Sequence, residues 1–473
     1  MKELVEFAVG YAKDKQVKYA EARIQTDIEN SITLRNGTVD SVSLENYQGI
    51  GIRVLVDGSL GFASTNVLTK DAIRKAVDNA ISLAKASASY KKDKIVFSEE
   101  KTYTDKWEAK QEKPFDDISI DEKIKYLQET DKAILDTKLE IPSRFIVYVE
   151  SKQKTFFANS DGSFIEGFVP RIFTMGLITV KGSKGVEQEF VEKGGSGGWE
   201  LVEQWDLPTF FSSRANILGN LAEEAQKPPT GFVDIVLGTL TVGLSVHESS
   251  GHPSEADRIM GREAAQAGES FLSEDWLGKQ IGNDVVTIID DPTLENSYGF
   301  YKYDAEGIPA RPRYLMKNGR INEFLHNRET AGKMGIQSNG AARAMHYDNE
   351  PIVRMANTYM LPGDHTFEEL IEDIKLGVFI NTFGEWNIDD RRYNMRFVGK
   401  EAYLIEKGEL KGFVKNPILE VTTPAYYSSI DALSKNLKFD AATCGKGDPD
   451  QGVPVWHGGP EVRLRNIRLG GIE

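Results

Sequence analysis

The chain of 473 residues contains a single cysteine, Cys444. One thiol excludes an intrachain disulfide, which suits a reducing cytoplasm, and a cytoplasmic protein is expected. Long apolar runs are also missing. The most apolar uncharged stretch, 235–246, is well short of the roughly 20 residues that span a bilayer, so no membrane partner is expected. The opening Met1-Lys2-Glu3-Leu4-Val5-Glu6 interleaves acids with apolar side chains, which speaks against a signal peptide. Positive charge is short: 57 Lys and Arg face 72 Asp and Glu, a formal net charge of −15. Such a surface repels phosphate backbones, and no dense basic cluster interrupts it, so nucleic acid is not an expected partner. Neither a Walker-type Gly-Lys-Ser/Thr loop nor a Gly-x-Ser-x-Gly elbow is present, which removes P-loop ATP hydrolysis and an elbow-borne serine nucleophile. Gly194-Gly195-Ser196-Gly197-Gly198 lacks the strand-to-helix setting of a nucleotide fingerprint and reads as a flexible surface loop.

What is present is ordinary for a globular chain, with 40% hydrophobic and 27% charged residues, and the length predicts two or three domains. Helical spacing occurs at 4–15, 69–86, 121–136 and 207–226. Strand patterns occur at 20–25, 31–35, 38–44, 49–56, 59–64, 144–151, 154–159 and 163–180, with Asn36-Gly37 as a hairpin turn. Strands in hairpins with flanking helices make the fold class α+β. The polar stretch 106–117 reads as a linker, and Lys227-Pro228-Pro229-Thr230-Gly231 is the strongest boundary. The expected organisation is an N-terminal α+β region at 1–228, divisible near 105–120. A C-terminal α/β catalytic domain follows at 229–473, with an antiparallel sheet and a helix carrying the metal motif. Its hairpins are expected at 313–317 with 320–324, and at 401–406 with 409–414.

The chemistry concentrates in Val246-His247-Glu248-Ser249-Ser250-Gly251-His252, a His-Glu-x-x-x-His pattern. On a regular α-helix, residues five apart sit about 140° apart, too far round to share one ion. A π-type turn or a break would bring His252 round; Gly251 permits one, and Pro253 predicts that the regular helix ends at His252. In this reading His247 and His252 bind Zn²⁺ and Glu248 is the general base. A thiolate suits zinc as the third ligand, and Cys444 is the only thiol, placed in a Gly-rich turn with Lys446 nearby to favour ionisation. His457 and His346 are the spare ligand candidates, while His326 and His365 have no supporting context. Glu255 and Asp257 are placed to orient an imidazole. Asn327, Arg328, Arg343 and Asn357 are candidates for substrate contacts, through peptide carbonyls or a terminal carboxylate.

The motif, together with Cys444-Gly445-Lys446, resembles the TldD/PmbA family on its TldD side. Asn357-Thr358-Tyr359-Met360-Leu361-Pro362-Gly363, Asp304-Ala305-Glu306-Gly307 and Gly49-Ile50-Gly51-Ile52-Arg53 extend the resemblance over nearly the whole chain. It implies a zinc metallopeptidase acting on unfolded or short peptides inside a dimer cavity. The implied ligands are His247, His252 and Cys444, and the implied catalytic residue is Glu248. The implied partner is a second copy or a PmbA/TldE-like relative, and strand 49–53 could add a peptide at its edge. The alternative is a non-catalytic protein in which zinc clamps Cys444 to the motif helix for partner binding.

Overall fold

The computed structural model describes residues 1–263 and 268–471. The first half is built on one twisted sheet. Its elements are α1 (Lys2–Asp14), β1 (Tyr19–Arg35), β2 (Thr38–Val56), β3 (Ser59–Thr65), α2 (Lys70–Ala88), β4 (Thr104–Glu108), α3 (Ile120–Asp136), β5 (Glu140–Asn159), β6 (Phe164–Gly182), β7 (Gly185–Ser196), α4 (Glu200–Trp205) and α5 (Leu207–Glu224). The strand order is β3-β2-β1-β5-β6-β4, with β7 also pairing β6.

β1, β2, β5 and β6 run 17 to 20 residues, far beyond the usual five or six. The reason is that the long strands cross two cores. Ala22 and Ile24 of β1 pack with α1 and α2, whereas Ile32 and Leu34 of the same strand pack with α3 and α5. β5 does the same with Phe156 and Ala158 at one end and Ile146 and Tyr148 at the other. The polar residues between, Asp27, Glu29 and Asn30, lie in the gap, so the alternation that predicts two short strands is interrupted without the strand ending. Asn36 and Gly37 both take positive φ, 49° and 79°, as the tight hairpin requires.

Two expectations are corrected here. Gly194, Gly195 and Ser196 are the buried end of β7, not a surface loop. A Cβ on Gly194 would come within 2.8 Å of the Ala441 methyl, so glycine lets this strand meet the second half of the chain. The stretch 106–117 is not all linker, because Thr104–Glu108 pairs in parallel with β6.

The second half opens with β8 (Gly231–Leu237), central in a nine-stranded sheet between Leu376–Ile380 and Val462–Gly471. A six-stranded, mainly antiparallel sheet carries Lys438–Lys446, Gln451–Gly459 and Asn357–Met360. Between these layers runs α6 (Thr239–Val246), apolar almost all round and therefore enclosed. Its Val242 and Val246 join Ile235, Leu237, Val378, Ile380 and Leu464 in one core. Both hairpins form, Arg313–Lys317 with the short Arg320–Ile321, and Ala402–Glu406 with Glu409–Phe413. The α+β class therefore holds. Among the described residues no helix is long and apolar enough to cross a membrane.

Candidate metal centre

α6 is regular up to Val246 and then widens into a π-turn over His247–Gly251. The closing bond runs from the His252 N–H to the His247 carbonyl, five residues back. This is the distortion that the five-residue spacing demands, and it sets the two imidazoles edge to face with centroids 5.0 Å apart. Two details differ from expectation. Gly251 has an ordinary right-handed conformation, φ −62° and ψ −66°, so it is not there for conformational freedom. It is there for space: a Cβ would lie 1.9 Å from Met355 Sδ. His252 itself stays right-handed despite Pro253, and the chain leaves the helix only after the single 3₁₀ turn His252–Ser254.

Cys444 arrives on a strand, not a turn, paired across the ladder with Val453. Its Sγ lies 3.5 Å from His252 Nε2, and one donor atom from each of His247, His252 and Cys444 falls within 4.8 Å of the others. All three are buried. Burial raises the Cys444 thiol, but His252 and Arg354 outweigh it and bring it down to about 7. Burial lowers both His247 and His252, keeping them neutral and free to donate a lone pair.

A buried charge cluster supports this triad. Glu255 Oε2 takes His252 Nδ1 at 3.0 Å and Arg258 Nε at 2.7 Å. With Nδ1 engaged there, Nε2 is the nitrogen presented to Cys444. Burial pushes the Glu255 carboxyl up, yet Lys446, His252 and Arg258 together hold it well below the usual carboxylate range. Lys446 does not reach the thiol. Its ammonium binds Asp257 at 2.7 and 2.9 Å, the Val353 carbonyl at 2.8 Å and Glu255 at 3.4 Å. Glu255 thus orients the imidazole directly, and Asp257 acts only through Lys446.

Glu248 is buried beside His247, and burial raises its carboxyl while His247 and Arg392 pull the other way. Arg392 Nη1 donates to Glu248 Oε2 at 3.0 Å. Sequence reasoning missed Arg392, which comes from a turn in the hairpin 383–399 and belongs to no recognisable motif. It also missed Tyr427, whose hydroxyl meets Ser249 Oγ at 2.7 Å behind the π-turn. His457 approaches His247 with ring centroids 6.2 Å apart; burial and His247 bring it down to about 3, and its Nδ1 has no partner.

The other sequence candidates lie elsewhere. His346 pairs with Asp27 at 3.1 Å, His326 meets Thr330 Oγ1 at 3.1 Å, and His365 is half-buried beside the Leu433 carbonyl. Three of the four proposed substrate residues are bonded into the scaffold. Asn327 caps the helix Arg328–Met334, accepting the Thr330 N–H at 2.9 Å. Arg328 donates to the Ser98 carbonyl at 2.9 Å and pairs with Asp161 at 3.0 Å. Asn357 donates to the Asp291 carbonyl and Ser297 Oγ and accepts the Gly299 and Trp456 N–H groups. Arg328 Nε is buried without a partner, and Arg343 keeps free donors beside a cavity.

A family model described as the PmbA/TldA metallopeptidase C-terminal domain matches residues 230–471, and those for its domain 1 and central domain match 20–84 and 113–227. A metalloprotease of Methanocaldococcus jannaschii is 33% identical over 445 residues, 94% of this chain and 95% of that one. A zinc metalloprotease TldD homolog of Saccharolobus solfataricus is 24% identical over 467 residues, 97% of this chain and 98% of that one. The crystal structure of TldE from Thermococcus kodakarensis shares the fold with a TM-score of 0.73 at 17% identity, covering all of both chains. A Thermotoga maritima protein described as a candidate modulator of a DNA gyrase does so at 0.78 and 19%, over 99% of each chain.

Proposed function

The chain belongs to the TldD/PmbA metallopeptidase family, and from that premise we propose that it is a zinc-dependent peptidase for short or unfolded peptides. His247, His252 and Cys444 are the ligands in this reading, and Glu248 is the general base. It is further proposed to work in the cytoplasm as a homodimer or with a PmbA/TldE-like relative. The observation that carries the reading is the convergence of two buried imidazoles and the buried thiol within 4.8 Å, directly beside a buried carboxyl.

The donor set fits zinc: nitrogen and thiolate ligands, three in number, with His247 Nδ1 buried and unpartnered. Zinc bound there supplies Lewis acidity and makes water a competent nucleophile at neutral pH. The remaining work falls to the chain. Arg392 holds Glu248 Oε2, which leaves Oε1 to accept a proton from the attacking water and return it to the departing amine nitrogen. The Glu255–Lys446–Asp257 cluster fixes the His252 ring so that its Nε2 cannot swing away. The burial of the whole group excludes bulk water, which strengthens each of these contacts.

The test is zinc content alongside cleavage of an unfolded peptide, for wild type and Glu248→Gln. Zinc in both, with cleavage reduced by roughly 10²-fold or more in the variant, is the expected result. A Glu248→Gln protein that cleaves at the wild-type rate would overturn the assignment. Zinc in both with cleavage in neither would favour a structural clamp.

A further inference from the structure

A cavity of about 110 Å³ lies where the N-terminal sheet meets the second half of the chain. Three arginines reach it from separate elements: Arg23 from β1, Arg171 from β6 and Arg343 from the strand Ala342–Arg343. They are 8%, 7% and 7% exposed. A buried guanidinium keeps its charge and is ordinarily matched by a carboxylate. Other buried arginines follow that rule, Arg53 pairing with Glu21 at 2.7 Å, Arg144 with Asp131 at 2.6 Å and Arg214 with Glu189 at 2.6 Å, whereas Arg354 donates to the carbonyls of Gln451 and Cys444. Among the described residues, none of the three cavity arginines has a carboxylate within the 4.0 Å of an ion pair.

Their donors go to neutral acceptors instead. Arg171 binds the carbonyls of Tyr298 at 3.1 Å and Phe300 at 3.2 Å and Gln153 Oε1 at 3.3 Å. Arg23 binds Gln25 and the carbonyls of His346 at 2.8 Å and Asn349 at 3.3 Å. Arg343 uses only Nη1, on the Met355 carbonyl at 2.7 Å, and its Nε and Nη2 have no acceptor among the described residues. Two acids lie close but are engaged. Asp304 borders the cavity and accepts the backbone N–H groups of Glu306, Ile308 and Ala342. Asp27 takes Gln25, Gln153 and His346. Burial lowers all three arginines, Arg343 to about 9 and Arg23 to about 10, as expected of cations without full compensation.

Beside polar Gln25, Gln153, Thr155 and Asp304, the wall has an apolar part made by Trp107, Phe157, Ile165 and Val169. An inorganic anion has no use for such a wall, whereas an organic carboxylate does. The wall also includes Val453, the ladder partner of Cys444, so about one strand spacing, ~4.8 Å, separates it from the strand bearing the thiol. We propose that this cavity binds the C-terminal residue of a peptide. Its α-carboxylate meets the free donors of Arg343, backed by Arg171 and Arg23, and its side chain packs on Trp107 and Phe157. This deepens the peptidase reading and rests on it for the identity of the ligand, which makes free-acid peptides the preferred substrates.

The test separates the two claims. Calorimetric titration of the zinc-loaded Glu248→Gln protein would compare N-acetyl-phenylalanine, its amide, N-acetyl-aspartic acid α-amide and sodium sulfate. Binding of the free acid at least tenfold tighter than the amide is expected, lost in Arg343→Met and partly restored in Arg343→Lys. Equal binding of acid and amide overturns the proposal. Sulfate binding as tightly as the acid overturns it in favour of a simple anion site. The aspartic acid α-amide, whose only carboxylate is its side chain, binding as tightly overturns the C-terminal assignment in favour of an acidic side chain. The comparison of ligands on one protein needs no arginine variant to fold. A wild-type enzyme that cleaves free-acid and amidated peptides equally keeps the peptidase reading and refutes this one. A protein that binds the acid selectively yet cleaves nothing does the reverse.

Discussion

Replacing Gly251 by alanine tests whether the π-turn is a built feature of the metal site. Backbone conformation does not oppose the change, because φ −62° and ψ −66° suit any L-residue. Helix propensity favours it by up to about 1 kcal/mol. The opposing effect is steric: the new methyl would stand 1.9 Å from Met355 Sδ, 3.2 Å from its Cγ and 3.3 Å from its Cε. Met355 is fully buried, in one cluster with Leu315, Leu325, Val353, Cys444 and Val455, so its side chain has no open direction in which to retreat. Overpacking of this kind costs about 1–3 kcal/mol, and the net destabilisation should be about 1–2 kcal/mol. The second consequence is more diagnostic. The clash lies between the two proposed ligand histidines, and Met355 packs in the cluster that holds Cys444, so zinc affinity should fall by tenfold or more. Chemical denaturation of the metal-free protein gives the first quantity and competition with a chromophoric chelator gives the second. Met355→Ala alone should cost about 2–5 kcal/mol, but less than additively with Gly251→Ala, because the new methyl occupies part of the vacated space. Unchanged stability and unchanged zinc affinity in Gly251→Ala would refute the reasoning, and additive effects in the double variant would refute the proposed contact.

Three further outcomes follow from the same structure. Lys446→Met should destabilise the protein by about 3–5 kcal/mol, because Glu255 and Asp257 lose the buried ammonium between them, and denaturation midpoints measure this. His326 is brought down to about 4 by burial, so the unfolded chain takes its proton first. Its contribution is present above pH 6.5 and is lost as pH falls toward 4. The loss is (6.5 − 4) × 1.36, or about 3 kcal/mol, and a His326→Gln variant should show a flatter acid limb in urea unfolding at stepped pH. Removal of zinc by chelation should lower the melting temperature and its return should restore it, with about 2.7 kcal/mol lost from a state holding zinc at a hundredfold its dissociation constant. A melting temperature indifferent to zinc would contradict the ligand assignment.

Much of the local structure was legible in the residues. Asn36-Gly37, the apolar spacing from Ala72 to Ala84 and the Pro-Pro-Thr-Gly break after Lys227 each act over a few positions, and turn sterics or helix period then decide the outcome. The five-residue gap between His247 and His252 likewise carried its own demand for a widened turn. Where the reading failed, the deciding partner was distant in sequence. Two short strands were expected in place of β1 because the residues between its two cores are mostly polar, and the cross-strand ladders with β2 and β5 carry the strand through. The glycines at 194 and 195 looked like a free loop because no sequence window shows that Ala441 will press against the first and the Asn296 carbonyl against the second.

The same division runs through the site. Residue chemistry by itself pointed to the proposed donor set: two imidazoles and the one thiol, with a carboxyl next to the first histidine. Tertiary structure alone decided that Cys444 would meet a helix 192 residues away. It also decided that Lys446 would serve Asp257 and Glu255 instead of the thiol, that Arg392 would face Glu248, and that Arg23, Arg171 and Arg343 would share one cavity. Short-range sterics and hydrogen bonding are written into neighbouring residues, whereas long-range electrostatics depend on which buried charges the packing of two sheets and one helix brings within a few ångströms.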